Sequence, residues 1–357
     1  MNRTASFRVA AALTATAVFA AAANAQTQSV SLRGDSVSIY NLAGRTTIEA
    51  GSGSDVVIEI TRGGADASRL DVKSGMVRGR ESLRIIYPDD RIVYRQQDED
   101  RGYRNRTMIR VRDDGTFNDN DRDGDRGRRV ELSSSSSGMD AHADLKVLVP
   151  RGKRVALNLG LGDVNATNVN GDLSIDVAAA TVVTRSTTGK LSIDAGSGRV
   201  DVSDATGDVN IDAGSGGSTI ARVKGGWLKV DVGSGRVRLS DADVTSLSLD
   251  AGSGGVNASG IRSPDVKIDA GSGGVDVQLL SSPRKLDIDA GSGGVTIRAP
   301  ADLSAEIEVE TGSGDISTDF LIAMTGTSRR NLRGKIGGGS GRIHIETGSG
   351  GVRLLKN

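Results

Sequence analysis

Four aspartates in the first half of the chain are spaced so that their carboxylates could converge on one cation. Asp119, Asp121, Asp123 and Asp125 occupy alternate positions of a run that contains Gly124. Alternate oxygen donors around a glycine are typical of the first half of a calcium-binding loop. Position twelve of such a loop, which needs a bidentate glutamate, is Val130 here. The run therefore has two interpretations, a calcium site or a solvated charged loop.

A second group of acids recurs in the other half of the chain, each just before a glycine-rich turn. Its members are Asp194, Asp212, Asp231, Asp250, Asp269 and Asp289. Stacked at strand spacing, adjacent carboxylates would repel by about 1 kcal/mol in water and a few at a protein surface. Hydrogen bonds from turn amides or a row of bound cations could offset this repulsion. Calcium-binding nonapeptide rolls carry aspartate where this chain has Val256 and Val275. This difference favours hydrogen bonds from turn amides over a row of bound cations.

Residues for catalysis are few. The chain has two histidines, His142 and His344, and no cysteine, and its acids are spread evenly rather than paired. The sequence therefore predicts no catalytic residue, and no cofactor apart from the calcium considered above. Trp227, the sole tryptophan, is a candidate ligand contact, with packing against a turn as the alternative.

A Gly-Ser-Gly turn repeats through the second half of the chain and predicts its architecture. Steps of 18, 19, 19, 19, 20 and 21 residues separate the central serines Ser197, Ser215, Ser234, Ser253, Ser272, Ser292 and Ser313. This period fits one coil of a β-solenoid and is too short for a helical hairpin. The best-formed turns are assigned a structural role: Gly196, Ser197, Gly198, Gly252, Ser253, Gly254, Gly271, Ser272, Gly273, Gly291, Ser292 and Gly293.

Between these turns apolar and polar residues alternate, which predicts two short strands per coil with one face of each buried. The fold class is thus all-β, a parallel β-solenoid of about 18–20 residues per coil, with right-handed coiling favoured by the bias of parallel crossovers. One predicted core column contains Val200, Val237, Val256, Val275, Val295, Ile316, Ile343 and Val352. A second contains Ile193, Ile211, Val230, Leu249, Ile268, Ile288, Val309 and Ile345. Ser218 interrupts the first column and predicts a slip of register there.

The first 25 residues are typical of a cleaved signal peptide. Arg3 and Arg8 precede an apolar run from Val9 to Ala23, and a small-residue exit ends at Ala25. Removing this segment takes two arginines from a chain with 45 basic and 45 acidic residues, leaving a formal charge of −2. Such balance gives no electrostatic basis for binding nucleic acid, and no later stretch is apolar enough to span a bilayer. Absence of cysteine excludes disulfides and an N-terminal lipid anchor.

Four regions follow from these patterns. We expect a signal peptide over 1–25, an N-terminal β region of first coils or a cap over 26–87, and the solenoid over 143–357. Between them, 88–142 is predicted to be a charged, mobile insertion with a serine-rich linker, because 88–131 holds 11 basic and 12 acidic residues.

Several strings of the chain resemble the bacterial putative-adhesin family of unknown function. They are Val149-Pro150-Arg151-Gly152, Gly160-Leu161-Gly162-Asp163-Val164, Val169-Asn170-Gly171-Asp172-Leu173, the Gly-Ser-Gly series and the ending from Leu332 to Val352. The likeness covers most of 145–355 and, more loosely, 29–87, but not the charged insertion. It implies an exported β-solenoid similar to autotransporter-adhesin heads, and it implies no catalytic residue.

These observations together predict an exported, non-enzymatic, adhesin-like or scaffold protein whose partner is a glycan or protein of the cell envelope or extracellular space. A polysaccharide-active enzyme using surface carboxylates and a calcium-stabilised structural roll remain as alternatives. The sequence does not distinguish periplasmic, cell-surface and secreted locations.

Overall fold

The structure is a computed structural model that describes residues 27–95, 106–118, 127–135 and 137–357. These residues are almost entirely strand and turn, with one short 3-10 helix at Ala67–Arg69. They form one sheet of 24 strands and a second of four. The predicted signal peptide over 1–25 and the aspartates at 119, 121, 123 and 125 lie outside the described residues. Within the described part, no helix is long and apolar enough to cross a membrane.

A stack of coils forms the centre of the large sheet. Its strands are β10 (His142–Val149), β11 (Arg154–Thr167), β12 (Asp172–Thr188), β13 (Leu191–Ser197), β14 (Val200–Thr206), β15 (Val209–Ser215), β16 (Ser218–Val232), β17 (Val237–Ala251), β18 (Val256–Arg262), β19 (Asp265–Ala270), β20 (Val275–Leu279), β21 (Lys285–Ala290) and β22 (Val295–Ala299). Strands of successive coils pair in parallel, as β13 does with β15 and β14 with β16. Longer strands such as β12 bend at a corner of the coil. The first part of β12 pairs with β13 on one face, and its second part pairs with β14 on the other. The predicted parallel β-solenoid with two strands per coil is confirmed.

The core consists of aliphatic columns that run along the stack. Val237, Val256, Val275 and Val295 are in register from coil to coil and almost fully buried. Burying each such side chain contributes about 1.5–3 kcal/mol, so the columns dominate the favourable free energy of folding. The second predicted column is likewise continuous, from Ile193 through Ile268 to Ile345 and Val309.

Two details of the predicted columns were wrong. Ile343 pairs with Leu286 and Ile307, on the other strand of the coil from the predicted column of Val295 and Val352, because its Gly-Ser-Gly string lies at the opposite corner of the coil. Ser218 causes no slip of register: it pairs with both Val200 and Val237 and is fully buried. The serine simply replaces a valine in the stack.

The N-terminal end combines a coil with an antiparallel cap. Its strands are β1 (Thr27–Leu32), β2 (Ser36–Ala50), β3 (Val56–Gly63), β4 (Asp71–Val77) and β5 (Arg80–Ile86). Both halves of β2 pair in parallel with β11, so β2 is itself a coil. Beyond it, β3 runs antiparallel to β10 and to β1, and β4 runs antiparallel to β5. These antiparallel strands cover the end of the stack.

The charged segment forms a second sheet where the sequence predicted a mobile surface loop, and that prediction was wrong for its described parts. The strands are β6 (Arg91–Val93), β7 (Arg106–Val111), β8 (Arg128–Ser133) and β9 (Met139–Asp140). Ile92, Val130 and Leu132 are buried in the common core. A Cβ added to Gly160 would overlap the side chain of Leu132, so this sheet packs directly on the solenoid.

At the C-terminal end the order of stacking differs from the order of the chain. The strands are β23 (Ala305–Thr311), β24 (Ile316–Thr318), β25 (Ile322–Ser328), β26 (Asn331–Ile336), β27 (Gly341–Thr347) and β28 (Val352–Lys356). The last coil lies inside the stack, with β27 between β21 and β23 and β28 between β22 and β24. An antiparallel hairpin of β25 and β26 follows β23 and ends the sheet.

Glycine corners allow the coils to approach each other. A Cβ at Gly273 would overlap the carbonyl oxygen of Gly254 in the preceding coil, whereas one at the neighbouring Gly274 would lie 3.2 Å from the carbonyl oxygen of Gly294. Gly273→Ala should therefore lower the free energy of unfolding by at least about 1–3 kcal/mol through overpacking. Gly274→Ala is the matched control and should cost clearly less. Urea unfolding measures both, and equal losses would contradict the close approach.

A buried hydrogen-bond network joins the N-terminal coil to the start of the second sheet. The Tyr87 hydroxyl lies 2.8 Å from Asn41 Oδ1 and 2.9 Å from the Ala43 carbonyl oxygen. Asn41 Nδ2 in turn donates to the Ala143 carbonyl oxygen at 2.7 Å. Burial raises the pKa of Tyr87 far above its usual value, so the hydroxyl stays protonated as a donor.

Removing this donor should destabilise the protein. Tyr87→Phe keeps the packing but leaves buried acceptors without their partner, which costs about 1–3 kcal/mol. Thermal or urea unfolding measures the loss. Tyr87→Leu removes packing as well and should cost more, and a Tyr87→Phe protein as stable as the wild type would show that the network is dispensable.

Candidate functional site

A continuous row of carboxylates runs along one outer face of the solenoid. Strand pairing places its members in register, and we call them the carboxylate ladder: Asp176, Asp194, Asp212, Asp231, Asp250, Asp269, Asp289, Glu346 and Glu310. The sequence predicted the six aspartates from Asp194 to Asp289. Asp176 and the two glutamates were missed, because Asp176 has no Gly-Ser-Gly turn after it and the last coil is stacked out of chain order.

Apolar and polar residues alternate within each strand, and this alternation makes the ladder carboxylates point outward. Ile193 and Ala195 are buried on either side of Asp194, and Leu249 and Ala251 are buried on either side of Asp250. Because neighbouring side chains of a strand point to opposite faces, anchoring the apolar residues fixes the direction of the carboxylate between them. The buried columns therefore position the ladder.

The like charges of the ladder are only partly compensated. Partial burial and the neighbouring Asp212 raise the pKa of Asp194. Partial burial, with Asp231 and Asp269 on either side, raises the pKa of Asp250, and Lys229 and Lys267 oppose this shift. The two lysines lie on the same strands, two residues before the acids, and offset part of the repulsion.

Turn amides do not compensate the ladder as the sequence had suggested. The backbone N–H groups of Gly252 and Ser253 donate to the carbonyl oxygens of Val232 and Gly233 in the preceding coil, both at 2.9 Å. No hydrogen bond from a turn amide reaches the aspartates between Asp194 and Asp289 in the described structure. The amides are used to hold the coils together.

Both ends of the ladder are occupied by other parts of the chain. At the N-terminal end, Asn118 Nδ2 donates to Asp176 Oδ1 at 2.8 Å, and Phe117 stacks edge-on against Tyr40 with ring centroids 5.8 Å apart. At the other end Arg333 pairs with Glu308 and, at 3.1 Å, with Glu310. Between these ends, the six aspartates from Asp194 to Asp289 and the adjacent Glu346 have no such contact in the described structure, and we call the six aspartates the open part of the ladder.

A groove of about 540 Å³ adjoins the C-terminal end of the ladder. His344 contributes to its wall, and its Nδ1 lies 3.8 Å from the Glu308 carboxylate. Lys335 pairs with Glu306 at 3.2 Å in the same wall. His142 belongs to β10 at the opposite end of the solenoid, where its ring lies 5.0 Å from Tyr94. The two histidines therefore do not meet in one site.

The remaining candidates from the sequence occupy separate places. The predicted turn residues lie at the corners between the two faces, and Ser253, Ser272 and Ser292 are exposed there. Trp227 is half-buried beside Ser246 on the same side as the ladder, and its backbone N–H donates to Asp208 Oδ1 at 3.2 Å. Its role as a ligand contact stays a prediction. Among the described residues no group of three or more acids or histidines is arranged to hold a metal ion.

Capped parallel coils with polar outer faces place the protein in the class of β-solenoids. More specifically, the chain belongs to the Toastrack DUF4097 family, whose model matches residues 82–355. That match spans the charged segment, which the sequence resemblance had left outside. No curated protein matches the chain.

Two solved structures are similar over nearly their whole length. One is a putative cell adhesion protein from Clostridium sporogenes, 10% identical with a TM-score of 0.23, covering 93% of this chain and 99% of the other. The second is a putative adhesin from Parabacteroides merdae, 12% identical with a TM-score of 0.30, covering 92% of this chain and 95% of the other. Those names describe those two proteins.

The ladder's electrostatics predict a stabilising substitution. Because the pKa of Asp250 is raised in the folded state, that state binds the proton more tightly than the unfolded chain does, and stability falls as pH rises through the raised pKa. Asp250→Asn should therefore stabilise the protein at pH 7, by about 0.2–1 kcal/mol for each relieved neighbour. The gain should vanish at about pH 3, where the wild-type carboxyl is itself neutral.

Unfolding in urea at both pH values measures this difference. Asp276→Asn is the matched control, since Asp276 pairs with Arg298 at 2.5 Å and should gain nothing at neutral pH. A loss of stability in the Asp250→Asn protein at pH 7 would show that the ladder is compensated by contacts other than those described.

Proposed function

We propose that the protein is an exported, non-enzymatic, adhesin-like scaffold that binds a positively charged component of the cell envelope through the open part of the carboxylate ladder. The observation that supports this proposal most directly is the in-register row of acids from Asp194 to Asp289. Each coil contributes one acid to this row, so the acids are regularly spaced. The proposed partner is a glycan or protein with repeated cationic groups.

The regular spacing of the carboxylates makes this face suited to a polymer whose cationic groups also repeat at regular intervals. Neighbouring strands lie about 4.8 Å apart, so six carboxylates extend over roughly 25 Å. Each exposed ion pair contributes about 0.2–1 kcal/mol, which is weak alone. Several pairs formed by one polymer act together, because every contact after the first is intramolecular.

The equivalence of the ladder acids favours binding over catalysis. General acid and base catalysis needs two groups with separate tasks and different proton affinities. Here the same acid recurs at the same register position from coil to coil. A polysaccharide-active enzyme remains the second candidate, because the raised pKa of Asp250 beside Asp231 and Asp269 is an arrangement that such an enzyme could use.

Binding to a cationic glycan tests the proposal. The ladder variant carries Asp→Asn at residues 212, 231, 250 and 269, and its control carries four Asp→Asn changes off the ladder, at residues 201, 243, 276 and 315. We expect the ladder variant to bind chitosan oligomers at least about tenfold more weakly than the wild type, while the control changes affinity less than about twofold. Calorimetry or surface plasmon resonance measures both.

Three outcomes would count against the proposed function. Wild-type protein that binds neither chitosan, polylysine nor isolated envelope fractions would leave only a scaffold role. Equal losses in the two variants would show that net charge, rather than the ladder, controls binding. Shortening of the chitosan oligomers during incubation would favour the enzyme. Protease treatment of intact cells separates the locations, since digestion without lysis indicates surface display and protection indicates the periplasm.

A further inference from the structure

The hairpin strand β25 ends the large sheet with an unpaired edge. It pairs with β26 on one side, and in the described part of the chain no strand pairs with its other side. Its side chains from Ala323 to Ser328 are exposed, and Met324 and the preceding Leu321 are 57% and 92% exposed. A strand edge presents a row of free N–H and C=O groups that another strand can pair with.

Apart from one register shift, this edge lacks the features that normally keep sheet edges apart. The nine residues 320–328 contain no charged residue and no proline. By contrast the N-terminal edge strand β4 carries two charged residues, Asp71 and Lys73, and Lys73 Nζ lies 3.7 Å from Asp71 Oδ2. The edge strand β24 is three residues long. The remaining edge, β1, starts at the first described residue.

Charges at the two ends of this uncharged run are opposite in sign. Asp319 precedes it, and Arg329 and Arg330 follow it. Both arginines are exposed, and neither has an ion pair within the described residues. In an antiparallel pair of identical strands, the start of each strand faces the end of the other. Two copies would therefore place each Asp319 beside an arginine of the partner.

We propose that β25 of one copy pairs antiparallel with β25 of a second copy, forming a symmetric dimer at the C-terminal ends of two solenoids. The pairing is isologous, so it closes at two chains and does not continue into a fibre. Because β25 belongs to the same sheet as β23, β26 and β27, the dimer would join the ladder-bearing sheets of both copies into one. The dimer does not depend on the proposed ligand.

The size of the contact sets the expected affinity. One strand pair with its flanking side chains falls at the small end of specific interfaces, which corresponds to dissociation constants in roughly the micromolar range. The register shift between Met324 and Gly326 bends the edge and limits the pairing to the two short segments around it. We therefore expect a dimer that dissociates on dilution.

Sedimentation velocity of the mature chain between roughly 1 and 200 µM tests the proposal. The wild type should shift from monomer to dimer over this range. Met324→Lys, which places a charge on the edge, should remain monomeric. Ser29→Lys on β1 and Met76→Lys on β4 are matched controls on the other edges, and both should dimerise like the wild type.

A charge swap checks the orientation of the two strands. Arg329→Asp combined with Arg330→Asp places acids opposite Asp319 and should weaken the dimer at least about tenfold, by loss of attraction and gain of repulsion. Adding Asp319→Lys to that variant should restore dimerisation, a rescue that loss of folding could not produce. Thermal melts confirm that each variant is folded.

A wild-type chain that is monomeric at the highest concentration would overturn the proposal. So would dimers abolished by Met76→Lys or Ser29→Lys but not by Met324→Lys, since they would place the contact at the other end. Growth beyond the dimer would contradict the closed, symmetric pairing.

Discussion

Close contact between the backbones of successive coils is the constraint on which this structure depends. Corner amides donate to the preceding coil, as Gly252 N–H does to the Val232 carbonyl oxygen at 2.9 Å. Such bonds form only if the two corners almost touch, which leaves no room for a Cβ at Gly254 or Gly273. Once the corners are in contact, the strands between them fall into register. The aliphatic columns and the outward row of acids then follow from period-two alternation.

The same constraint explains why the acids tolerate their own repulsion. Like charges at strand spacing are unfavourable by about 1 kcal/mol per pair in water and a few kcal/mol at a protein surface, whereas each coil buries several aliphatic side chains worth about 1.5–3 kcal/mol each. The core therefore fixes the register even though the ladder opposes it. A surface that persists against its own electrostatics is consistent with a role in binding.

Local sequence was enough to predict the repeating part of the fold, because every coil carries its own corner and its own alternation. It failed where the partner of a strand is distant. Ile343 follows a Gly-Ser-Gly string like the others, yet the string lies at the opposite corner, because the hairpin before it reverses the chain. Asn118 reaches Asp176 across 58 positions, and no local pattern signals such a contact.

In the charged segment the alternation around Ile109 and Val111 was present, but the density of arginine and aspartate obscured it. The calcium loop and the signal peptide concern residues outside the described structure and stay predictions.

The placement of the final coil bears on the order in which the chain can fold. β27 and β28 fill a gap between strands that precede them in sequence, so this end of the stack cannot close before β27 and β28 have been synthesised. A polypeptide that crosses a membrane from its N-terminus onward would keep this end open throughout transport. This end of the solenoid would then close only after β28 had crossed the membrane.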